Sequence, residues 1–221
     1  MPFELCSPKL IDAVVAEVFD GPLAEAGFQK IRERFYVRSR FAEMNDVIEF
    51  WRDKLNLNFL WGLSLNFVPH ITSGLGIVRW HRTPKSAYRD LSYSGFGRNP
   101  KLGWSIKCTG GEIILRQSAL LTRSEMLPQA LEFFESLKSP HDLEAVFSAF
   151  GQKENRDFGW TFDMFPQASL AYSFYLAKSG QEEKAREFMS RWITRNAVAY
   201  REETTAKLSR MFEEAARTPF V

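Results

Sequence analysis

Leu55-Asn56-Leu57-Asn58-Phe59-Leu60-Trp61-Gly62-Leu63-Ser64-Leu65-Asn66-Phe67 decides the fold class. Every odd position in this stretch is large and apolar. Most even positions are polar or small. Alternation of period two belongs to a strand, because successive side chains point to opposite faces. The stretch predicts a long strand with one dry face and one wetter face. A slip of one residue would turn seven large apolar side chains to water, so its register is firmly set.

The flanking sequence extends the sheet. From Ile31 to Arg40 the even positions are Arg32, Arg34, Tyr36, Arg38 and Arg40, and the odd ones are Ile31, Glu33, Phe35, Val37 and Ser39. This predicts a strand with one basic face and one partly apolar face. Residues 41–46, with Asn45-Asp46, read as a turn, Val47–Trp51 as a further strand and Arg52–Lys54 as another turn. Short links between strands imply an antiparallel meander, since parallel strands need long crossovers. Farther on, Gly74–Trp80 reads as a short strand. Thr83–Gly103 reads as a long loop with a short helix near Ser86–Leu91. Trp104–Lys107 and Glu112–Gln117, joined through Gly110-Gly111, read as a last hairpin.

Helical signals hold both ends. Ser7-Pro8 is a capped start, and the apolar stripe Leu10, Val14, Val15, Val18 and Phe19 runs to Gly21-Pro22, where a kink or break is expected. This helix is acidic. From about Leu121 the period is helical: starts are expected at Ser124, Ser139-Pro140 and Pro166, with Gly180 as a stop. Further helices are expected over Gln181–Asn196 and from about Ala199 to Ala216. Residues 151–163 read as a linker. Strands first and helices later give an α+β chain: an antiparallel sheet in the N-terminal half, an N-terminal helix and a C-terminal set of helices. The 221 residues are expected to form a single domain, with a sheet-bearing part over 1–120 and a helical part over 121–221.

A leading helix ending in Gly27-Phe28-Gln29-Lys30, then Phe35-Tyr36, Val47-Ile48 and the strand with Asn66, resembles an uncharacterised bacterial domain-of-unknown-function family over roughly residues 8–82. Trp80-His81-Arg82 is similar to that family's central histidine and arginine. The resemblance implies a fold type and a bacterial origin, and it supplies no catalytic residue.

Composition narrows the chemistry. Cys6 and Cys108 lie far apart in sequence and form no metal-type spacing, so they read as small buried residues of a reducing compartment, with a disulfide between them as the alternative. His70, His81 and His141 form no HxH or HExxH spacing, so no metal site is expected. No cofactor is expected either, since there is no GxGxxG or Walker pattern. No signal peptide and no membrane span are visible, which implies a cytoplasmic protein. The formal charge is +2, but it is unevenly spread. Residues 29–40 carry five basic groups against Glu33, and residues 79–107 carry seven against Asp90.

Arginine among aromatics suits an acidic protein partner, phosphate or stacked bases. The residues expected to bind are Arg32, Arg34, Tyr36, Arg38, Arg40, Trp80, His81, Arg82 and Arg89. The plainer alternative is a solvated basic sheet face balanced by the acidic helices. The expectation is a non-enzymatic binding protein with an acidic protein partner. The alternatives are a nucleic-acid or polyanion binder, and an enzyme centred on His81, oriented by Asp90 if the loop folds back.

Overall fold

The computed structural model describes residues 5–72, 77–94, 105–152, 166–196 and 202–220. It has the α+β architecture expected, with an antiparallel sheet in the N-terminal half, an N-terminal helix and C-terminal helices. The chain forms two compact units. Unit 1 holds Met1–Arg40, Asn45–Gly62 and Ser92–Leu137, and unit 2 holds Phe41–Met44, Leu63–Leu91 and Lys138–Val221.

In unit 1 the chain begins with α1 (Pro8–Val15), whose N-cap Ser7 accepts a hydrogen bond from the Leu10 amide. The expected break at Gly21-Pro22 is absorbed. A π-helical turn over Ala16–Asp20 leads into α2 (Gly21–Glu25), with proline in the first turn of α2. Proline has no amide hydrogen to donate, and a widened turn changes the bonding pattern where that donor is missing. At the end of α2, Gly27 takes a φ of 86°, the left-handed conformation that glycine adopts without a Cβ clash.

The main sheet contains β1 (Gln29–Arg32), β2 (Phe35–Phe41), β3 (Met44–Arg52), β4 (Asn56–Leu65), β7 (Leu91–Ser94) and β8 (Ser105–Lys107), in the order β1-β2-β3-β4-β7 with β8 also on β4. The opening stretch is thus the central strand, bonded to three others. Its odd side chains build the core of unit 1: Phe59 packs on Phe19 and Phe50 at ring-centroid distances of 5.9 and 5.4 Å, and Phe50 also meets Tyr36 at 6.0 Å. The expected wetter face is not wet. Asn58, Leu60 and Ser64 are buried along with their odd neighbours. Short polar groups tolerate such burial when hydrogen-bonded, as Asn58 is to Asp53 and Ser64 is to the amide of Tyr88.

Three local readings are corrected. The strand expected from Ile31 to Arg40 turns back at Glu33-Arg34, so Arg32 ends β1 while Tyr36, Arg38 and Arg40 lie in β2, paired antiparallel to it. The turn expected over 41–46 is confined to Ala42-Glu43; Asn45 and Asp46 lie in β3 and are both about 1% exposed. Turn-type side chains fit a strand here because partners await them: Ser39 Oγ donates to Asn45 Oδ1 at 2.6 Å, and two arginines reach Asp46. Glu112–Gln117 is not a strand either. It opens α3 (Gly111–Ser136), a helix of 26 residues, so the start expected at Ser124 falls inside it. The β-branched pair Ile113-Ile114 suggests a strand. Leu115, Ala119, Thr122, Met126, Ala130 and Phe134 share one buried face at three- and four-residue spacing, and that face prevails.

Unit 2 contains the hairpin of β5 (Pro69–Thr72) and β6 (Ile77–Trp80), with His70 opposite Arg79. It also contains α4 (Leu143–Gln152), α5 (Pro166–Lys178), α6 (Glu182–Asn196) and α7 (Glu202–Ala216). The α5–α6 turn has Gly180 at a φ of 75°, the stop expected there. The short helix expected near Ser86–Leu91 is a 3-10 turn at Pro84–Ser86, and Leu91 begins β7. Of the linker expected over 151–163, Gly151 and Gln152 end α4, and 153–163 lie outside the described residues, as does Trp104.

Candidate functional site

The nine residues expected to bind divide between the units. Arg32, Arg34, Tyr36, Arg38 and Arg40 lie in unit 1, and Trp80, His81, Arg82 and Arg89 in unit 2.

In unit 1 the basic side of β2 faces the unit's own helices. Arg38 Nε donates to Asp46 Oδ2 at 2.9 Å and its Nη1 to the Ala26 carbonyl at 3.1 Å; its Nη2 lies 2.9 Å from Glu135. Arg40 forks onto the same carboxylate, with Nε at 2.6 Å from Oδ2 and Nη2 at 3.1 Å from Oδ1, and donates from Nη1 to the Leu137 carbonyl at 3.0 Å. Ala26 ends α2 and Leu137 follows α3. Each arginine therefore supplies a cation and donors to a helix C-terminus, where carbonyls lack partners and the dipole is negative. Asp46 holds both guanidinium groups in place. The Arg38 group also lies 5.0 Å from the Phe28 ring centroid.

Basic groups of β1 and of the β1–β2 turn pair with the acidic N-terminal helical segment. Arg34 pairs with Asp12 at 3.1 Å, and Lys30 reaches Asp20 at 3.5 Å. Arg34 sits at a φ of 62°, a left-handed position in the β1–β2 turn. Tyr36 is buried, and its hydroxyl donates to Asp20 at 2.5 Å. Arg32 is exposed, with its guanidinium carbon 3.6 Å from the Phe35 ring centroid.

Burial, then the bond to Asp20, pushes the Tyr36 hydroxyl well above the ordinary tyrosine value of 10.0. A pKa raised on folding stabilises the protein below the unfolded value, and that contribution is lost as pH rises toward the folded one. Above pH 10 the protein is expected to lose stability faster than a Tyr36→Phe variant. The difference in slope approaches about 1.4 kcal/mol per pH unit. Urea unfolding of both proteins between neutral and strongly alkaline pH measures it; parallel slopes contradict it.

In unit 2 the loop does fold back, and His81 meets Asp90. His81 Nε2 is 2.8 Å from Asp90 Oδ2, and both residues are buried. The carboxylate has further donors: the Leu65 amide at 2.7 Å on Oδ2 and Gln167 Nε2 at 2.5 Å on Oδ1. The Asp90 amide donates to the Leu63 carbonyl at 2.9 Å. Asp90 thus ties the end of β4, the end of β6 and the start of α5 at one point. An imidazole oriented by a carboxylate is the arrangement of a general base. The His81 ring, however, is 1% exposed, which shields its nitrogens from a substrate. Nearby, the His70 ring packs on Tyr88 with centroids 3.8 Å apart, and burial holds the His70 pKa below its usual value.

Trp80 packs edge-on against Phe174 at 6.2 Å. Arg82 lies over Trp80 at 4.2 Å and pairs with Glu214 at 2.9 Å. Arg89 is half-buried in the same unit. Among the described residues no group of three or more His, Cys, Asp or Glu is placed to hold a metal ion. No helix of the described residues is long and apolar enough to cross a membrane.

Sequence reasoning missed two features. Asp46 was hidden by its turn-like neighbour Asn45. The second is an exposed apolar stripe on α3, where Ile113 is 70% exposed and Ile114, Leu120 and Leu121 are 41–45% exposed. The legible signal was their spacing of seven and eight residues. Set against protein-family models, curated proteins and solved structures, the chain matches none.

Proposed function

We propose that this chain is a non-enzymatic interaction protein that docks a protein partner with an uncharged, apolar surface on the outer face of α3. The observation that carries this reading is the exposed stripe of Ile113, Ile114, Leu120 and Leu121. Large aliphatic side chains grouped on one helix face and left in water mark interaction sites. Gln117 and Ser124 complete the stripe, and between Ile113 and Ser124 it carries no charge. Leu5, 54% exposed and bridged to Thr109, extends apolar surface near the start of the helix. The pattern suits helix-against-groove or helix-against-helix recognition.

The expected acidic partner on the arginine face has less support. Arg34, Arg38 and Arg40 already have carboxylates in their own unit, and an outside anion would have to displace them. The same pairing weakens a polyanion reading, because charge matched inside the fold releases few counterions on binding. The shielding of His81 weighs against the enzyme reading.

Capture with the full-length protein tests the proposal. A double Leu120→Glu/Leu121→Glu variant should keep its circular dichroism and melting temperature. It should lose at least about 30-fold in affinity for a partner that the wild type retains, the scale of a central apolar anchor. Amide exchange in the complex should show new protection over residues 113–124, with little change of affinity between low and high salt. A partner held equally by the variant, or released by salt, contradicts the reading.

A further inference from the structure

We propose that Cys6 and Cys108 are a reversible dithiol–disulfide pair that clasps the N-terminal segment to the turn ahead of α3. The placement comes from the backbone. Leu5 bridges Thr109 in antiparallel fashion. One step along each strand in opposite directions puts Cys6 opposite Cys108. The Cys6 amide donates to the Cys108 carbonyl at 2.8 Å, which confirms that register. Residues directly opposite on an antiparallel pair have Cα atoms about 4.5–5.5 Å apart and side chains on the same face. That separation lies inside the range a disulfide spans. Only one bond of such a pair is made, since the Cys108 amide donates to the Leu55 carbonyl at 3.0 Å; the two Cβ atoms are not held at ideal ladder spacing, so the bond closes with some strain. Strained disulfides are the easily reduced, regulatory kind.

Both thiols are free and buried, so access requires local opening. The strand side of that opening is short: residues 5–7 precede α1 and are joined to the turn by one isolated bridge, and weakly paired segments open at lower cost than core elements. Cys6 lies on the short segment that opens, so Cys6 is the attacking group; burial pushes the Cys108 thiol up. Its thiolate attacks one sulfur of a small-molecule disulfide such as oxidised glutathione. The first glutathione leaves as a thiolate and takes up a proton, and Cys6 carries the mixed disulfide. Cys108, deprotonated, then attacks the Cys6 sulfur and expels the second glutathione thiolate. Two protein thiols are oxidised and one external disulfide is reduced to two thiols.

The test is intact mass of the native full-length protein after incubation with oxidised glutathione at mildly alkaline pH. The expected product is a monomer lighter by two hydrogens, with one cross-linked peptide joining Cys6 to Cys108. Dithiothreitol should restore both thiols. The oxidised form should melt roughly 5–10 °C higher than the reduced one. Cys6→Ser and Cys108→Ser proteins should each stop at a thiol or a mixed disulfide. Two thiols that stay free in the native protein, while the urea-unfolded chain cross-links, would overturn the proposal. So would a stable mixed disulfide on wild type, or an intermolecular dimer as the main product. The wild-type measurement stands even if a serine variant fails to fold.

Discussion

Replacing Asp46 by alanine is expected to cost about 3–5 kcal/mol of unfolding free energy, the range for removing one partner of a buried ion pair. Asp46 is 1% exposed, and the Arg38 and Arg40 side chains are 13% and 16% exposed. Without the carboxylate, two guanidinium groups remain against the sheet and lose the anion they share. For a chain of this length the melting temperature falls by about 10 °C or more. Urea unfolding followed by circular dichroism measures the midpoint, and an unchanged slope confirms that the denatured state is not responsible. Asp46→Asn keeps an acceptor oxygen and is expected to cost less than alanine. Replacing Arg38 and Arg40 by methionine beside Asp46→Leu should recover part of the loss, because an apolar core can substitute for a buried ionic one. Recovery is incomplete, since both arginines also cap helix ends. A cost below about 1 kcal/mol would mean these groups behave as a screened surface pair. It would return the arginines to the pool available for an acidic partner.

Asp90→Ala is the second large effect, expected at about 3–5 kcal/mol and read in the same way. Three donors converge on this carboxylate: the Leu65 amide, His81 Nε2 and the Gln167 amide. Removing it strands them in a buried place, at about 1–3 kcal/mol for each one left unsatisfied. Asparagine does not rescue this site. Its side chain brings a donor group into a cluster that already has three donors and offers one acceptor oxygen. His81→Gln tests the pair from the other side. Loss of stability with Asp90→Ala, and only modest loss with His81→Gln, fits Asp90 as the tie that closes the 81–90 loop. A stable His81→Gln protein that has lost a measurable reaction would instead make His81 a catalytic base.

The strongest patterns were readable without coordinates, for physical reasons. Alternation from Leu55 to Phe67 is local, so it gave the central strand, and the short links before it gave its antiparallel neighbours on that side; β7 and β8 pair with it from far along the chain. Ser7-Pro8 and Gly180 gave a helix start and a stop, because caps and left-handed turns depend on one or two residues. The facing of His81 and Asp90 was readable only as a condition, since nine residues of loop had to return on themselves. Other features were set by tertiary structure. The alternation of Arg32 to Arg40 suggests a single basic strand face, but it hides the turn at Glu33-Arg34 and says nothing of what covers the side chains. Asp20, Asp46, Glu135 and the carbonyls of Ala26 and Leu137 lie up to about a hundred residues away and turn a candidate binding surface into an internal network. Asn45-Asp46 is turn-like by composition and a strand by partnership. Ile113-Ile114 prefers a strand locally and becomes helical because Leu115 to Phe134 bury a continuous face. The sequence by itself determined the α+β class, the central strand, most of the helix positions and the uneven spread of charge. Only the tertiary structure decided which charges are already paired and which apolar side chains remain in water, because pairing and burial depend on residues that meet only when the chain is folded.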